Sequence, residues 1–336
     1  MVSSKEPLVS VVTPVYNGEK YLRECIESVI AQTYQLWEYV IVNNCSTDRT
    51  LEIAQSYARK EPRIRIHQNR RLVGRIGNHN IAMRQISVAS KYCKVLHADD
   101  WLFPECIMRM VELAEANPSV GIVGAYGLDG VRVRWDGLPY PSTVTVGREL
   151  CRQILKGGLY VFGSPTSILL RSDLVRGRDD FYPNTDDFES LYADQEACYD
   201  ILRNSDFGFV HQVLTYSRIH EESVTSSAAM TGLNHDLPEQ LNILRKYGPA
   251  YLSEREYEAR LKLLTDRYYS FLGQSLLYMK GKQFWDFHRI ALNYMGHPLS
   301  KFRLLKAASS EVADTLLNPF RMALTVLAAI TKSKTR

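Results

Sequence analysis

Two adjacent aspartates, Asp99 and Asp100, end an apolar run within KVLHADDWLF, residues 94–103. Neighbouring carboxylates repel each other, and burial raises their pKa unless a counter-ion is near. Magnesium and manganese ions prefer carboxylate oxygens, and in nucleotide enzymes they keep coordination positions for phosphate oxygens. The residue types therefore indicate either a divalent-metal site or an exposed turn ahead of the helix that Pro104 begins.

Alternating strands and helices position this pair. LVSVVT (8–13) predicts a buried strand that Pro14 ends, and a helical pattern follows from residue 19, with Asn17 available as its cap. The cycle repeats, with strands predicted at 37–44, 63–69 and 93–98 and helices at 46–60 (capped by Ser46 or Thr47), 77–90 and 104–116. Such alternation predicts an α/β fold with a mostly parallel sheet whose ligand site lies at the carboxyl ends of the strands, where Asp99 and Asp100 stand.

The pattern changes towards the C-terminus. Further strands are predicted at 120–127 and 131–135, a strand entering a helix at 162–175, a helix in SLYADQEACYDILRN, and two strand-like pieces in 207–220. Beyond Ser227 the periodicity is helical. We therefore expect a catalytic domain over residues 1–227 and a helical C-terminal region over residues 228–336.

Composition limits the class of protein. With 45% hydrophobic and 23% charged residues, the chain has the balance of a soluble globular protein. Its six cysteines form no CxxC pair, and the N-terminal MVSSKEPLVSVV lacks the order of a secretory signal, so we expect a cytoplasmic protein without a disulfide framework. TPVYNGEKY after the first strand lacks GxGxxG, and no GxxxxGK[ST] occurs, which argues against a dehydrogenase and a P-loop ATPase.

The last 36 residues are cationic, with seven basic and two acidic side chains in 301–336. MALTVLAAI (322–330) is too short to span a bilayer, which needs about 20 apolar residues. Two interpretations stay open: peripheral contact with the inner face of the cell membrane, or packing against the body or in a homodimer. The body of the chain carries little net charge, so no nucleic-acid partner is expected.

Several motifs occur together in order. The segment at residues 9–50, VSVVTPVYNGEKYLRECIESVIAQTYQLWEYVIVNNCSTDRT, is followed by HADD, SPTSILLR, YADQEACYDIL and YSRIHEESVTS. Over the first 225 residues or so, this arrangement resembles the family 2 glycosyltransferases, which have the GT-A fold. The resemblance implies an inverting transfer of a sugar from a UDP-, dTDP- or GDP-linked donor to the hydroxyl of a saccharide or lipid-linked saccharide. It also implies a divalent metal, manganese or magnesium, and a role in bacterial surface polysaccharide biosynthesis.

The resemblance assigns nucleotide contacts to the first two strand ends. Pro14 and Tyr16 would contact the base, with the Tyr16 ring as a stacking surface. The family usually shows paired aspartates after strand two, where this chain has Asn43 and Asn44. The amide of Asn44 can both accept and donate, so base binding is expected with an altered nucleotide preference. By residue type alone, Tyr16 is equally a packed turn aromatic and the asparagines only shape a turn.

The resemblance also assigns metal ligands. Asp100 coordinates the cation that bridges the diphosphate, and Asp99 contacts the ribose or supports the metal. His220 matches a family position near the diphosphate and metal. His97 stands where many relatives have a further aspartate. It is left out of the metal site because a neutral histidine lowers the local negative charge.

Transfer requires a base that takes the acceptor proton. The family pattern places it at Asp194, and Glu196 is the second choice. Two residues apart on a helix, these side chains point about 200° apart, so only one of them faces the site. The alternative is a charged, solvent-facing helix start. Arg75 and Arg218 are expected to face phosphate oxygens.

Two other functions remain. A sugar nucleotidyltransferase would need a Gly-rich basic loop after strand one, which TPVYNGEKY lacks. A catalytically silent nucleotide- or sugar-binding module is kept open by the asparagine pair at 43–44.

Overall fold

A parallel four-stranded core begins the sheet. The computed structural model describes residues 6–317, apart from residues 135, 179, 184–190 and 221–230. The first four strands are β1 (Val9–Val15), β2 (Trp37–Asn43), β3 (Ile64–Gln68) and β4 (Tyr92–Val95). They pair in the order β3-β2-β1-β4, all parallel. Crossover helices α1 (Leu22–Ile30), α2 (Thr50–Ala58) and α3 (Arg75–Met83) connect them, so their carboxyl ends share one edge.

The other half of the sheet is mixed. It contains β5 (Trp101–Leu102), β6 (Val120–Asp129), β7 (Arg132–Arg134), β8 (Val144–Thr145), β9 (Ile168–Arg171) and β10 (Asp206–Ser217). β9 inserts antiparallel between β4 and β6, while β6 and β10 are parallel. The helices of this half are α4 (Cys106–Ala116), α5 (Gly147–Leu155), α6 (Ser172–Arg176) and α7 (Ala193–Ile201). The predicted α/β fold with a mostly parallel sheet is confirmed.

Some local predictions were wrong. β1 continues through Pro14, which lies opposite Val42, because β4 pairs with β1 only as far as Val12 and leaves proline without a neighbour on that side. Asn17 does not cap α1, and neither Ser46 nor Thr47 caps α2.

The segment 207–220, predicted as two strand-like pieces, contains a single long strand. β10 runs from Asp206 to Ser217 and has register shifts between Val210 and Thr215. A bulge bends a strand without ending its pairing, which explains why the sequence suggested two pieces.

The chain divides into two compact units, Met1–Ser226 and Ser227–Arg336. The second contains α8 (Asp236–Tyr251), α9 (Glu254–Leu277), α10 (Lys282–Tyr294) and α11 (Lys301–Leu317). Ser253 begins α9 with a capping box, in which its hydroxyl accepts from the Glu256 amide and the Glu256 carboxylate accepts from the Ser253 amide. Over the part of the chain that the structure describes, no helix is long and apolar enough to cross a membrane. The segment 322–330 lies outside the described residues.

Helices on both faces bury the central strands, and this burial fixes the strand ends that carry the polar residues. Ile41 of β2 is 0% exposed, and Val88, in the loop before β4, is 89% exposed.

We expect Ile41→Ala to lower the free energy of unfolding by about 2–5 kcal/mol, because it removes buried methyl groups and leaves a cavity. Urea unfolding followed by circular dichroism measures this. Val88→Ala is the control and should change stability by less than about 0.5 kcal/mol. Equal midpoints for the two variants would contradict the description of β2 as a core strand.

Candidate active site

The loops that follow β1 and β2 are joined by hydrogen bonds. The Asn17 amide donates to Ser46 Oγ over 2.9 Å, and the Thr47 amide donates to Asn17 Oδ1 over 2.9 Å. The Gly18 amide donates to Thr50 Oγ1 over 2.7 Å. Asn17 has a φ of 50°, a left-handed conformation that asparagine tolerates better than most residues. The two loops therefore form one connected rim at the carboxyl edge of the sheet.

Tyr16 and Pro14, both predicted to contact the nucleotide, lie in different environments. The Tyr16 side chain is 50% exposed, as a stacking surface requires. Pro14 is buried inside β1.

Asn44 is buried and bonded within the protein. Its Oδ1 accepts from Asn69 Nδ2 over 2.9 Å and from the Val73 amide over 3.1 Å, and its Nδ2 donates to the Val73 carbonyl over 2.9 Å. Asn69 Nδ2 also donates to Asn78 Oδ1 over 2.9 Å. Both lone pairs of Asn44 Oδ1 are thus in use within the protein, and a base N–H could be accepted there only by replacing one of these hydrogen bonds. Asn44 instead fixes the segment that leads into α3.

Asp100 is the buried member of the aspartate pair, with 5% of its surface exposed. Its Oδ2 accepts from the Thr166 hydroxyl over 2.7 Å, and its Oδ1 accepts from the Arg218 amide over 3.0 Å. Burial raises the pKa of Asp100 to about 6, with Asp99 adding to the rise and His97 opposing it. A carboxylate in such a place is stabilised by a cation, as expected of a metal ligand.

Arg218 and His220, which follow β10, both hydrogen-bond to Asp99. Its Oδ2 accepts a hydrogen bond from His220 Nε2 over 2.9 Å, and its carbonyl accepts from Arg218 Nε over 3.1 Å. The Arg218 guanidinium also pairs with Glu24 and lies 4.4 Å from the centroid of the Tyr21 ring. Arg218 therefore helps to organise the aspartate pair, and a phosphate contact of its guanidinium stays a prediction.

His97, which was not expected to be a metal ligand, lies with Asp99 and Asp100 in a group of possible ligands, called the metal-type cluster below. Ligand atoms of His97, Asp99 and Asp100 all lie within 4.8 Å of one another. A hard cation holds its ligands at about 2.0–2.6 Å, so atoms that share one ion lie within about 5 Å of each other. The donor set therefore fits a divalent cation. His220, predicted as a ligand, is bonded to Asp99 through Nε2, and among the described residues its buried Nδ1 has no hydrogen-bond partner.

Thr166 and His79, which were not among the predicted site residues, both contact His97. Thr166 Oγ1 accepts from the His97 amide over 3.2 Å while donating to Asp100, and Lys94 Nζ donates to the Thr166 carbonyl over 2.8 Å. His79 Nε2 lies 3.3 Å from His97 Nε2. Burial lowers the pKa of His79 to about 3. SPTS in the sequence was a signal for Thr166, whereas nothing in the sequence linked His79 to HADD.

Asp194 and Glu196 differ as the helix geometry predicts. Both belong to the first turn of α7; Asp194 is partly exposed, whereas Glu196 is 3% exposed. Burial raises the pKa of Asp194 to about 6, and the fields of His97 and Arg75 oppose this rise. Asp194 is therefore close enough to His97 and Arg75 for their charges to act on its carboxyl. Arg75 is the first residue of α3, and its carbonyl lies 3.0 Å from His79 Nδ1.

The family model of glycosyl transferase family 2 matches residues 10–177, half of the sequence, including the rim loops and the aspartate pair. The chain belongs to glycosyl transferase family 2. The predicted family and enzyme class are confirmed.

This glycosyltransferase is 37% identical over 120 residues to an uncharacterized glycosyltransferase of Haemophilus influenzae, an alignment that covers 36% of each chain. It is 26% identical over 272 residues to the putative glycosyltransferase EpsE of Bacillus subtilis, covering 76% of this chain and 95% of EpsE.

Two solved structures have a similar fold. S. aureus TarS 1-349 in complex with UDP-GlcNAc gives a TM-score of 0.58 at 20% identity, covering 78% of this chain and 73% of TarS. The mannosyltransferase PcManGT of Pyrobaculum calidifontis, in complex with GDP-Man and Mn²⁺, gives a TM-score of 0.56 at 16% identity. The match covers 97% of this chain and 85% of PcManGT. At these identities the likeness concerns the fold.

We expect Asn44→Ala to lower the free energy of unfolding by about 2 kcal/mol or more, because it leaves the Val73 amide and carbonyl and one Asn69 donor without a partner. Urea unfolding measures the change, and Asn204→Ala, at an exposed position, is the matched control. Unchanged stability combined with weaker nucleotide binding would instead favour the direct base contact.

Proposed function

We propose that this glycosyltransferase transfers one sugar, with inversion, from a nucleotide diphosphate donor to an acceptor hydroxyl. The observation that carries the proposal is the partly exposed Asp194 carboxylate on the first turn of α7, subject to the fields of His97 and Arg75. A carboxylate with a pKa near neutrality, next to a metal-type cluster, is suited to accept a proton.

Asp194 acts as the general base. The Gln195 amide donates to Asp194 Oδ1 over 2.9 Å and holds the carboxylate at the helix start. The acceptor hydroxyl loses its proton to Asp194 and forms a bond to the anomeric carbon on the face opposite the diphosphate. The bond from that carbon to the diphosphate oxygen breaks, and its electrons leave with the nucleotide diphosphate. Alignment of the two reactants supplies much of the acceleration.

Asp100, with Asp99 beside it, would hold a divalent cation, manganese or magnesium. The cluster of ligand atoms and the enclosed Asp100 carboxylate support this assignment, and the fold neighbour PcManGT is described with Mn²⁺. A bound cation neutralises charge on the diphosphate. His220 keeps Asp99 oriented through its hydrogen bond.

The donor is a UDP-, dTDP- or GDP-linked sugar. TarS and PcManGT, which share the fold, are described with UDP-GlcNAc and GDP-Man. In this proposal the exposed Tyr16 ring stacks on the base, and Arg75, the first residue of α3, faces the diphosphate.

The acceptor is a saccharide or lipid-linked saccharide of a bacterial surface polysaccharide, and the enzyme works in the cytoplasm at the inner face of the membrane. The bacterial relatives support this setting. α11 supports the membrane contact because exposed Phe302 and Leu305 alternate with exposed Lys301, Arg303 and Lys306. Such a basic amphipathic surface suits anionic headgroups.

We expect Asp194→Asn to reduce kcat by about 10²–10⁴ while nucleotide affinity is retained, because the amide cannot take the acceptor proton. Release of nucleotide diphosphate from UDP-, dTDP- and GDP-sugars, with Mn²⁺ present, measures the rate. Glu258→Gln, exposed on α9, is the control and should keep full activity.

Full transfer by Asp194→Asn together with loss of transfer by Glu196→Gln would move the base to Glu196. A wild-type protein that binds nucleotide but neither transfers nor hydrolyses any donor would instead be a binding module.

The pH profile follows from the same carboxyl. A pKa of about 6 means that Asp194 carries its proton below pH 6 and is a base above it. With metal saturating, kcat/KM should therefore rise about tenfold per pH unit below pH 6 and be level above it. A profile that stays flat from pH 5 to 8 would contradict Asp194 as the base.

A further inference from the structure

Two histidine rings meet beside the aspartate pair. His79 Nε2 lies 3.3 Å from His97 Nε2, and the rings are close to perpendicular, at 79°. Two ring nitrogens at this distance share one proton, so one donates and the other accepts. If His97 Nε2 is the donor, the other ring nitrogen of a neutral His97, Nδ1, carries no proton.

The backbone of α3 determines the direction. His79 Nδ1 lies 3.0 Å from the Arg75 carbonyl, and a carbonyl oxygen can only accept, so Nδ1 carries a proton. A neutral imidazole carries a single proton, and in His79 that proton is on Nδ1. The Nε2 atom of His79 is thus a lone pair that accepts from His97 Nε2, and a neutral His97 has an unprotonated Nδ1.

That bare nitrogen faces the metal-type cluster. His97 Nδ1 lies 3.8 Å from Asp100 Oδ2, too far for a hydrogen bond but suited to two ligands of one ion. The His97 amide is fixed independently by Thr166, which also binds Asp100. Without a cation, two lone pairs would face each other at this point.

We propose that His97 supplies an imidazole nitrogen to the divalent cation, and that His79 is a positioning residue that holds His97 in the tautomer with a bare Nδ1. The inference rests on the proposed function, since it requires a cation at Asp99 and Asp100. It deepens that function by assigning metal preference to residue 97. Imidazole favours transition metals, whereas Mg²⁺ prefers oxygen, so this site should discriminate against Mg²⁺.

Pulsed electron paramagnetic resonance on the Mn²⁺-loaded full chain tests the ligand. We expect a directly coordinated nitrogen in the wild type and in the control His297→Gln, whose histidine is exposed, and none in His97→Asp. Calorimetric titration with Mn²⁺ and with Mg²⁺ tests the preference. His97→Asp should lower the preference for Mn²⁺ over Mg²⁺ by about tenfold, because it replaces nitrogen with oxygen.

The positioning role is tested at residue 79. His79→Phe removes the acceptor and should weaken Mn²⁺ binding by about 10–100-fold, while His79→Gln, whose side-chain oxygen can accept from His97, should restore most of it. Circular dichroism checks that each variant is folded. Equal Mn²⁺ affinity for Phe and Gln at position 79 would overturn the role of His79.

The outcomes distinguish failure of the His97 assignment from failure of the proposed metal site. Mn²⁺ that binds the wild type without a nitrogen signal would overturn the role of His97 and leave the aspartate site intact. Failure of both Mn²⁺ and Mg²⁺ to bind the wild type would overturn the proposed metal site, and the role of His97 with it.

Discussion

The enclosed Asp100 carboxylate, next to the second acid Asp99, is the constraint on which the site depends. Its two oxygens are held by the Thr166 hydroxyl and the Arg218 amide. These groups come from the segment that enters β9 and from the end of β10, so the carboxylate is positioned only when strands distant in sequence have assembled. The buried Lys94 side chain extends the arrangement, since its Nζ donates to the Thr166 carbonyl. The mixed half of the sheet therefore supplies the groups that position this acid.

The alternation of strands and helices in the first 116 residues was enough to predict the parallel sheet and its functional edge, because those elements are local and their carboxyl ends must coincide. The insertion of β9 between β4 and β6 could not be predicted, since strand pairing over such separations leaves no periodic signal. Helix geometry anticipated that Asp194 and Glu196 face different ways, and one is partly exposed while the other is buried. The exposure of each side chain, which only the structure shows, distinguished Asp194 from Glu196.

The departures from the expected pattern are polar residues whose partners are distant in sequence. Asn44 matches a base-binding position, but its amide is used by Asn69 and Val73, which the motif does not include. His97 was set aside because of its neutral charge. In the proposed site, His97 donates hydrogen bonds to His79 and Thr166, and these leave its Nδ1 lone pair for a metal. Residue type indicates which chemistry is available, and the surrounding hydrogen bonds determine whether it is free to act.

Calorimetric titration of UDP, dTDP and GDP into the protein, in Mn²⁺ or in a chelator, tests the central claim most directly. The account predicts that Mn²⁺ strengthens binding of at least one nucleotide diphosphate and that Asp100→Ala removes this gain while the protein stays folded. Binding that is equally strong in the chelator, and unchanged by Asp100→Ala, would contradict the claim that the enclosed aspartate holds a cation shared with the diphosphate.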